Sequence, residues 1–200
     1  SYVPTEDSSI TYANVFGLAA ENDRIFNFYR GYAGSFKPSY AYSDDAGETW
    51  HNGGVVIHDR SAIRHRPYVK YASNDTDSIH MVYTNGHPRD FDNSLYHIVY
   101  RAGSLRNSQG IAIATLAAGV AQPDQGTLLF AGNEQNVAWP CDLHLDDDGR
   151  PVVVYSVQKD ARRLPPGHLH SGRDHRYRYA VWSESGWLDY EMAYAGTRLY

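Results

Sequence analysis

The stretch IRHRPYVKYASNDTDSIHMVYTNGHPRDFDNSLYHIVYRAG, residues 63–103, contains three short runs that are typical of β-strands. The first two runs, residues 67–72 and 79–84, are rich in Tyr, Val and Ile, and the polar residues 73–77 between them favour a hairpin turn. The third run, residues 95–100, follows a longer loop that contains Gly and Pro. We therefore predict a single up-and-down β-meander.

Two histidines flank the first pair of runs. His65 precedes the first run, and His87 follows the second run in the longer loop. In an up-and-down meander the connections alternate between the two ends of the strands. Both histidines are therefore predicted to lie at the same edge of the sheet.

The strand-turn-strand scheme recurs on both sides of this stretch. The second strands read IFNFY, IHMVY and PVVVY, so Tyr29, Tyr83 and Tyr155 hold the same position in three repeats. Repeats of roughly 50 residues with four strands each predict the blades of a β-propeller. We therefore predict an all-β chain without helices, one domain of residues 1–200 with blades at residues 10–60, 61–120 and 121–200.

Three blades are too few to close a propeller ring, because known rings have about four to eight. We expect the remaining blades to come from a longer chain or from self-association of copies. The beginning Ser1-Tyr2-Val3-Pro4 shows no basic start before an apolar stretch, so we expect a mature form or a fragment. An incomplete sandwich or another meander is the alternative.

Residues 43–50, SDDAGETW, match the pattern S-x-D-x-G-x-T-W of an Asp-box. In such a turn the carboxylate can accept hydrogen bonds from turn amides, the glycine permits a positive φ, and the tryptophan packs beneath the turn. We predict a structural role at the edge opposite His87 for Ser43, Asp45, Gly47 and Trp50.

The composition limits the possible partners. The net charge is −5, so the chain has no basic field that would hold nucleic acid. Seventeen Tyr and four Trp suit a β protein whose amphipathic rings line a carbohydrate-binding groove. No apolar run reaches the ~20 residues that a membrane helix needs. We expect neither a nucleic-acid partner nor a membrane span.

Loops before first strands and after second strands share one edge of every blade. This edge is predicted to gather His65, His87, Tyr155, Arg173, His175 and Arg176. The residues between the third blade's second and third strands also hold His168 and His170, and Cys141 lies at the same edge, so a tetrahedral Cys/His₃ zinc site is possible. Chance clustering in a chain with ten histidines is the alternative.

The runs RPYVKY, SIHMVYTNGHPRDFDNSLYH, DLHLDDDGRPVVVYS and HRYRYAVW resemble the BNR-repeat propeller family, which includes ulvan lyases. The resemblance implies a seven-bladed propeller that cleaves a uronate-containing polysaccharide by β-elimination, so this chain would form part of that ring. It implies proton transfer by His65, His87 and Tyr155, with Arg176 facing the acid group. Arg173 and Arg178 are rivals for the last role, and Arg89 completes the arginines expected to bind substrate.

The resemblance also implies an enzyme that needs no cofactor for its chemistry, from a secreted or periplasmic bacterial source. Arg suits the pairing with a carboxylate, and His and Tyr suit proton transfer. A carboxylate pair of the glycosidase kind is not evident at the predicted edge. A glycan-binding propeller without activity and a sialidase-like hydrolase are the alternatives.

Overall fold

The computed structural model describes residues 10–31, 36–58, 67–88, 92–159 and 174–197, and their strands form three antiparallel sheets. Sheet 1 contains β1 (Ile10–Leu18), β2 (Arg24–Gly31), β3 (Pro38–Ser43) and β4 (His51–Val55). Sheet 2 contains β5 (Val69–Ser73), β6 (Ser78–Thr84), β7 (Leu95–Arg101), β8 (Ser104–Arg106), β9 (Ala112–Thr115) and β10 (Thr127–Phe130). Sheet 3 contains β11 (Asn136–Leu145), β12 (Pro151–Lys159), β13 (Asp174–Ser183) and β14 (Gly186–Tyr194).

Sheets 1 and 3 are four-stranded meanders in chain order, which confirms the predicted blade architecture. In sheet 2 the place beside β7 is shared by two short strands. β8 pairs with residues 99–101 of β7, and β10 pairs with residues 95–97. The predicted blade boundary at residue 121 would have assigned β10 to the third blade, but its pairing places β10 in sheet 2.

Sheet 2 is covered on both faces, and the alternation of its strand β6 shows why. Ile79, Met81 and Tyr83 belong to an apolar cluster shared with sheet 1, whereas Val82 belongs to a cluster shared with sheet 3. A strand buried on both faces reads as a nearly continuous apolar run, as this one does. Sheet 2 is therefore the middle blade of the three.

The turn between β3 and β4 holds the predicted Asp-box residues at the edge where β3 ends. The Asp45 carboxylate accepts hydrogen bonds from the Ser43 hydroxyl and from the backbone N–H of Thr49, each at 2.8 Å. Gly47 has φ 89°, and the Trp50 indole N–H donates to the Gly47 carbonyl at 3.1 Å. His87 follows the end of β6, so the topology puts it at the opposite edge of the blades.

Helix is nearly absent from the described residues. Their only helical segments are two three-residue 3₁₀ turns, Ala19–Glu21 and Pro123–Gln125. None of the helical segments found there has the length and apolarity needed to cross a bilayer.

Candidate functional site

A cleft of about 580 Å³ opens at the edge where β1 and β5 begin and β2 and β12 end. All three sheets contribute to it. The side chains that carry its chemistry are aromatic or cationic for the most part, with a thiol and two small polar groups. They are Tyr12, Asn14, Tyr29, Arg30, Tyr68, Lys70, Tyr71, Trp139, Cys141, Ser156, His175 and Tyr177.

The charge of the cleft is opposite to the charge of the whole chain. Arg30 and Lys70 line it, and none of the described residues in its lining is acidic. The chain as a whole carries a net charge of −5. The cleft therefore offers a local field that favours an anionic ligand in a protein that is acidic overall.

Tyr68 lies at the centre of a group of aromatic rings. Its ring centroid is 4.7 Å from that of Trp139 and 5.5 Å from that of His87. The rings of His87 and Trp139 are also 5.5 Å apart. His87 is buried beside the two rings that line the cleft, so it contacts the cleft through them.

The loop after β6 is fixed by the buried side chain of Asn93. The Asn93 amide accepts from the Gly86 N–H at 2.9 Å and donates to the Gly86 carbonyl at 2.8 Å. The Asn93 carbonyl accepts from the N–H of Ala138 at 3.0 Å, which ties the loop to β11. His87, next to Gly86, thus occupies a defined position beside Tyr68.

Arg30 is the only arginine among the described residues that line the cleft. Its Cζ lies 4.7 Å from the centroid of the Tyr12 ring and 5.6 Å from that of Tyr68. Tyr12 belongs to sheet 1, whereas Tyr68 immediately precedes β5 of sheet 2. The cation and the rings around it therefore come from two blades.

Tyr155 does not lie at the cleft, in contrast to the prediction. Its side chain is fully buried in the cluster between sheets 2 and 3, and its hydroxyl donates to Asp189 Oδ1 at 2.6 Å. Burial, followed by the hydrogen bond to this carboxylate, raises the pKa of Tyr155. A phenol in this environment keeps its proton and supports the core, so the expected role in proton transfer does not fit its position.

Arg176 and Arg178 are engaged by carboxylates of their own sheet. Arg178 forms a paired contact with Asp189, with N···O distances of 3.0 and 2.8 Å. Arg176 forms a paired contact with Asp174 and donates to Glu191 at 2.8 Å. Hydrogen bonds to these carboxylates raise the pKa of both arginines. Neither arginine lines the cleft, so the expected contact with a substrate acid group does not fit their positions.

Several predicted site residues lie outside the described residues. These are His65, Arg89, Arg173, His168 and His170. Of the predicted zinc ligands, Cys141 and His175 both line the cleft. Within the described part of the chain no group of three or more His, Cys, Asp or Glu side chains could hold a metal ion. The zinc site stays a prediction.

His175 is buried at the cleft wall, and burial lowers the pKa of its imidazole. Its Nε2 has no hydrogen-bond partner among the described residues. The Cys141 thiol at the same wall has a raised pKa, mainly because it is buried. Both groups are therefore neutral at pH 7 in this environment.

The sequence reasoning missed the residues that form most of the cleft. The missed residues lie within or next to strands, whereas most of the predicted site residues lie in loops; they are Arg30, Lys70, Tyr68 and Trp139. One signal was present in the sequence. The run RPYVKY places a tyrosine and a lysine at the beginning of the first strand of the middle blade, at the edge already assigned to the site.

This chain resembles known proteins in its fold and in its sequence family. No protein with a curated description matches it in sequence. A solved structure described as the PL25 ulvan lyase of a new polysaccharide lyase family has a TM-score of 0.68 at 20% identity. The same lyase bound to -[GlcA(1-4)Rha3S]- has a TM-score of 0.68 at 19% identity.

Both alignments cover 90% of this chain but only 43% of the lyase chains. The chain therefore spans less than half the length of these lyases, and an identity this low shows a common fold only. In sequence, the profile of the BNR repeat-containing family matches residues 2–195. The chain belongs to the BNR repeat-containing family.

Proposed function

We propose that this chain is part of a polysaccharide lyase that cleaves a uronate-containing, ulvan-like polysaccharide by β-elimination. The carrying observation is a cleft that combines aromatic rings, two cations and a neighbouring histidine with no carboxylate among its described lining residues. Aromatic faces suit the apolar faces of sugar rings, and cations suit acid groups. The likeness of the fold to an ulvan lyase with bound GlcA and Rha3S supports this choice of substrate.

The same cleft favours elimination over hydrolysis. Most glycoside hydrolases use two carboxylates that flank the scissile bond. The described lining of this cleft contains none. Elimination across C4 and C5 of a uronate needs only a base for the C5 proton, a proton for the departing O4, and a cation near the carboxylate.

We assign the proton transfer at the sugar to Tyr68 and the positioning of the Tyr68 ring to His87. In the proposed reaction the C5 proton is removed, a C4–C5 double bond forms, the C4–O4 bond breaks, and O4 receives a proton. Tyr68 lines the cleft and can reach a bound sugar, whereas His87 is buried and packs against the Tyr68 ring. His65 stays a candidate for the same work. The reaction consumes neither water nor a cofactor.

The source of the substrate bears on the location of the protein. A polysaccharide of this kind lies outside the cell. We therefore propose a secreted or periplasmic bacterial protein.

Tyr68→Phe tests the assignment, with Tyr71→Phe as the matched control. Tyr71 also lines the cleft, but its ring stacks on Phe28 with a centroid distance of 5.1 Å, and burial raises its pKa. We expect Tyr68→Phe to lower kcat by roughly 10²-fold or more, the scale of a lost general acid or base. Tyr71→Phe is expected to leave kcat within about twofold, since its hydroxyl takes no part in proton transfer.

The assay follows the ultraviolet absorbance of the unsaturated uronate that elimination leaves at the new non-reducing end. Reducing ends without this absorbance would show hydrolysis instead. Binding without either product, across a panel of uronate polymers, would make the protein a glycan-binding propeller. Equal kcat values for the two Tyr→Phe variants would remove Tyr68 from the mechanism.

A further inference from the structure

Arg30 stands between two tyrosine rings at the sheet 1 side of the cleft. Its Cζ lies over the Tyr12 ring at 4.7 Å and over the Tyr68 ring at 5.6 Å from the centroids. The ring centroids of Tyr12 and Tyr68 are 6.3 Å apart, and the ring planes are inclined at 68°. We call these three residues the Arg30 clamp.

The backbone of β1 is distorted at the clamp. The pairing of β1 with β2 shifts between Thr11 and Asn14, so that Tyr12 and Ala13 form a β-bulge. Tyr12 has φ 61°, a left-handed conformation that bulky residues rarely adopt. The Asn14 side chain donates to the carbonyls of Tyr12 and Phe28 and thereby fixes the bulge. Bulges are frequent beside active sites, where they redirect a side chain, and this one directs Tyr12 over Arg30.

The chemistry of the clamp suits an oxyanion. The faces of the two rings hold the guanidinium by cation–π attraction. A planar guanidinium presents parallel N–H donors that pair with a carboxylate or a sulfate in a bidentate manner. Lys70 adds a second cation in the same cleft, whose described lining is free of acidic side chains.

We propose that the Arg30 clamp is an anion subsite that binds a carboxylate or sulfate group of an acidic sugar in the bound polymer. This rests on the proposed function only in taking the ligand to be a glycan. Tyr68 belongs both to the clamp and to the proposed reaction centre, so the subsite adjoins that centre. The bound anion therefore belongs to the reacting sugar or to its immediate neighbour.

The test compares Arg30→Gln and Arg30→Lys with the matched control Arg24→Gln. Arg24 belongs to the same strand β2, and its Cζ lies 4.9 Å from the centroid of the Tyr42 ring, but it pairs with Asp44 at the opposite edge. The probe is an oligosaccharide of alternating glucuronate and rhamnose 3-sulfate. Its Kd is read from tryptophan fluorescence in a stopped-flow instrument before any product accumulates, because Trp139 lines the cleft.

We expect Arg30→Gln to weaken binding roughly 10- to 100-fold, the range for a lost charged hydrogen bond. Arg30→Lys should recover only part of this loss, because an ammonium cannot form the paired contact. Arg24→Gln should bind as the wild type does. Thermal unfolding of each variant identifies any loss of binding that comes from a loss of folding.

Two modified probes identify the anion and separate a direct contact from a structural effect. One probe is desulfated, and the other has its carboxyl groups reduced to alcohols. The probe that lacks the anion bound by Arg30 should bind the wild type and Arg30→Gln equally well. If Arg30→Gln weakens all three probes by the same factor, or weakens none, the proposal is wrong.

The binding results test the Arg30 clamp, and the cleavage results test the lyase activity separately. Selective loss of binding in Arg30→Gln supports the clamp even when no polymer is cleaved, and absence of cleavage overturns the lyase alone. A wild type that binds none of the probes overturns the clamp.

Discussion

Asp45 holds the β3–β4 turn together through its charged form. Hydrogen bonds from the Thr49 hydroxyl, the Thr49 N–H and the Ser43 hydroxyl lower the pKa of Asp45 to about 2. A carboxyl group with a lower pKa in the folded state stabilises the fold above its unfolded pKa of about 3.9. This contribution disappears as the pH falls towards 2, because the protonated group gives up those hydrogen bonds.

Asp45→Asn should therefore lower the thermal midpoint at pH 7, and the difference from the wild type should shrink as the pH falls from about 5 to 2. Thermal unfolding followed by circular dichroism across this range is the measurement. Asp147→Asn, in the exposed turn between β11 and β12, is the control and should show no such convergence. A difference that stays constant with pH would mean that the charge of Asp45 contributes nothing.

The equivalent tyrosines of the three blades have different surroundings, which their shared position in the repeat does not predict. Tyr83 and Tyr155 both point towards the preceding sheet and are fully buried by it. Tyr83 donates to the Pro123 carbonyl and Tyr155 to Asp189, whereas Tyr29 lines the cleft. The repeat predicted the shared position correctly, but the partner of each hydroxyl depends on residues that are distant in the chain.

Polar side chains from the neighbouring strands β12, β13 and β14 form a ladder on the face of sheet 3 that is directed at sheet 2. Tyr155 pairs with Arg178 across β12 and β13, and the carboxylate of Asp189 on β14 contacts both side chains. Tyr155 is buried and the other two side chains are partly buried, and polar groups removed from water are costly unless each has a partner. The ladder thus requires all three side chains together.

Tyr155→Phe removes one partner from the ladder, so it should lower the free energy of unfolding by about 1–3 kcal/mol. Turnover per folded molecule should stay unchanged, because the hydroxyl does not reach the cleft. Chemical denaturation and the elimination assay provide the two measurements. The control is Tyr190→Phe in the same sheet, where the ring is 47% exposed and the stability should change little. A large loss of turnover without a loss of stability would return Tyr155 to the catalytic site.

The strands were the most predictable elements of the chain. The strand expected at residues 79–84 is β6 at Ser78–Thr84, and the one at 95–100 is β7 at Leu95–Arg101. Their apolar runs and polar turns are local signals. The pairing of β10 with β7 is not local, because residues 102–126 separate the two strands, and no periodicity in the sequence specifies it.

The strand topology predicted the edge of the blades at which the cleft lies, but it did not predict which residues line the cleft. Alternation of connections placed His87 at the correct edge from the sequence alone. Whether Arg176 faces a ligand or a neighbouring carboxylate depends on the register of β13 against β14, which brings Glu191 to Arg178 and Tyr194 to Arg176. The tertiary register therefore places Arg176 and Arg178 beside carboxylates of sheet 3 and away from the cleft.

The opposite charges of cleft and chain predict an unusual salt dependence. At ~0.01 M salt the Debye length is about 30 Å, so the net charge of −5 repels an acidic polymer from a distance. Near 0.15 M salt the Debye length is about 8 Å, so the long-range repulsion is screened. Arg30 and Lys70 still attract the polymer once it contacts the cleft. Towards 1 M salt the Debye length is about 3 Å, so the attraction between the cleft cations and the polymer also weakens.

The association rate constant for an acidic polysaccharide should therefore pass through a maximum at intermediate salt. Stopped-flow fluorescence across this range of salt concentrations measures it. Uncharged oligosaccharides are the control and should associate at a rate that does not vary with salt. A steady fall from the lowest salt concentration would show that attraction by the cleft dominates at every distance.

The outer face of sheet 3 carries several half-exposed apolar side chains, among them Tyr177, Leu188 and Tyr190. The buried clusters lie on the two sides of sheet 2, so the outer faces of sheets 1 and 3 are different surfaces. Contact between such unlike surfaces is heterologous, and it ends in a ring only when the rotation closes. Two copies would place six blades around one axis, within the usual range of about four to eight, whereas three copies would exceed it. If copies of this chain associate head to tail, the blade count therefore favours a pair over a larger ring.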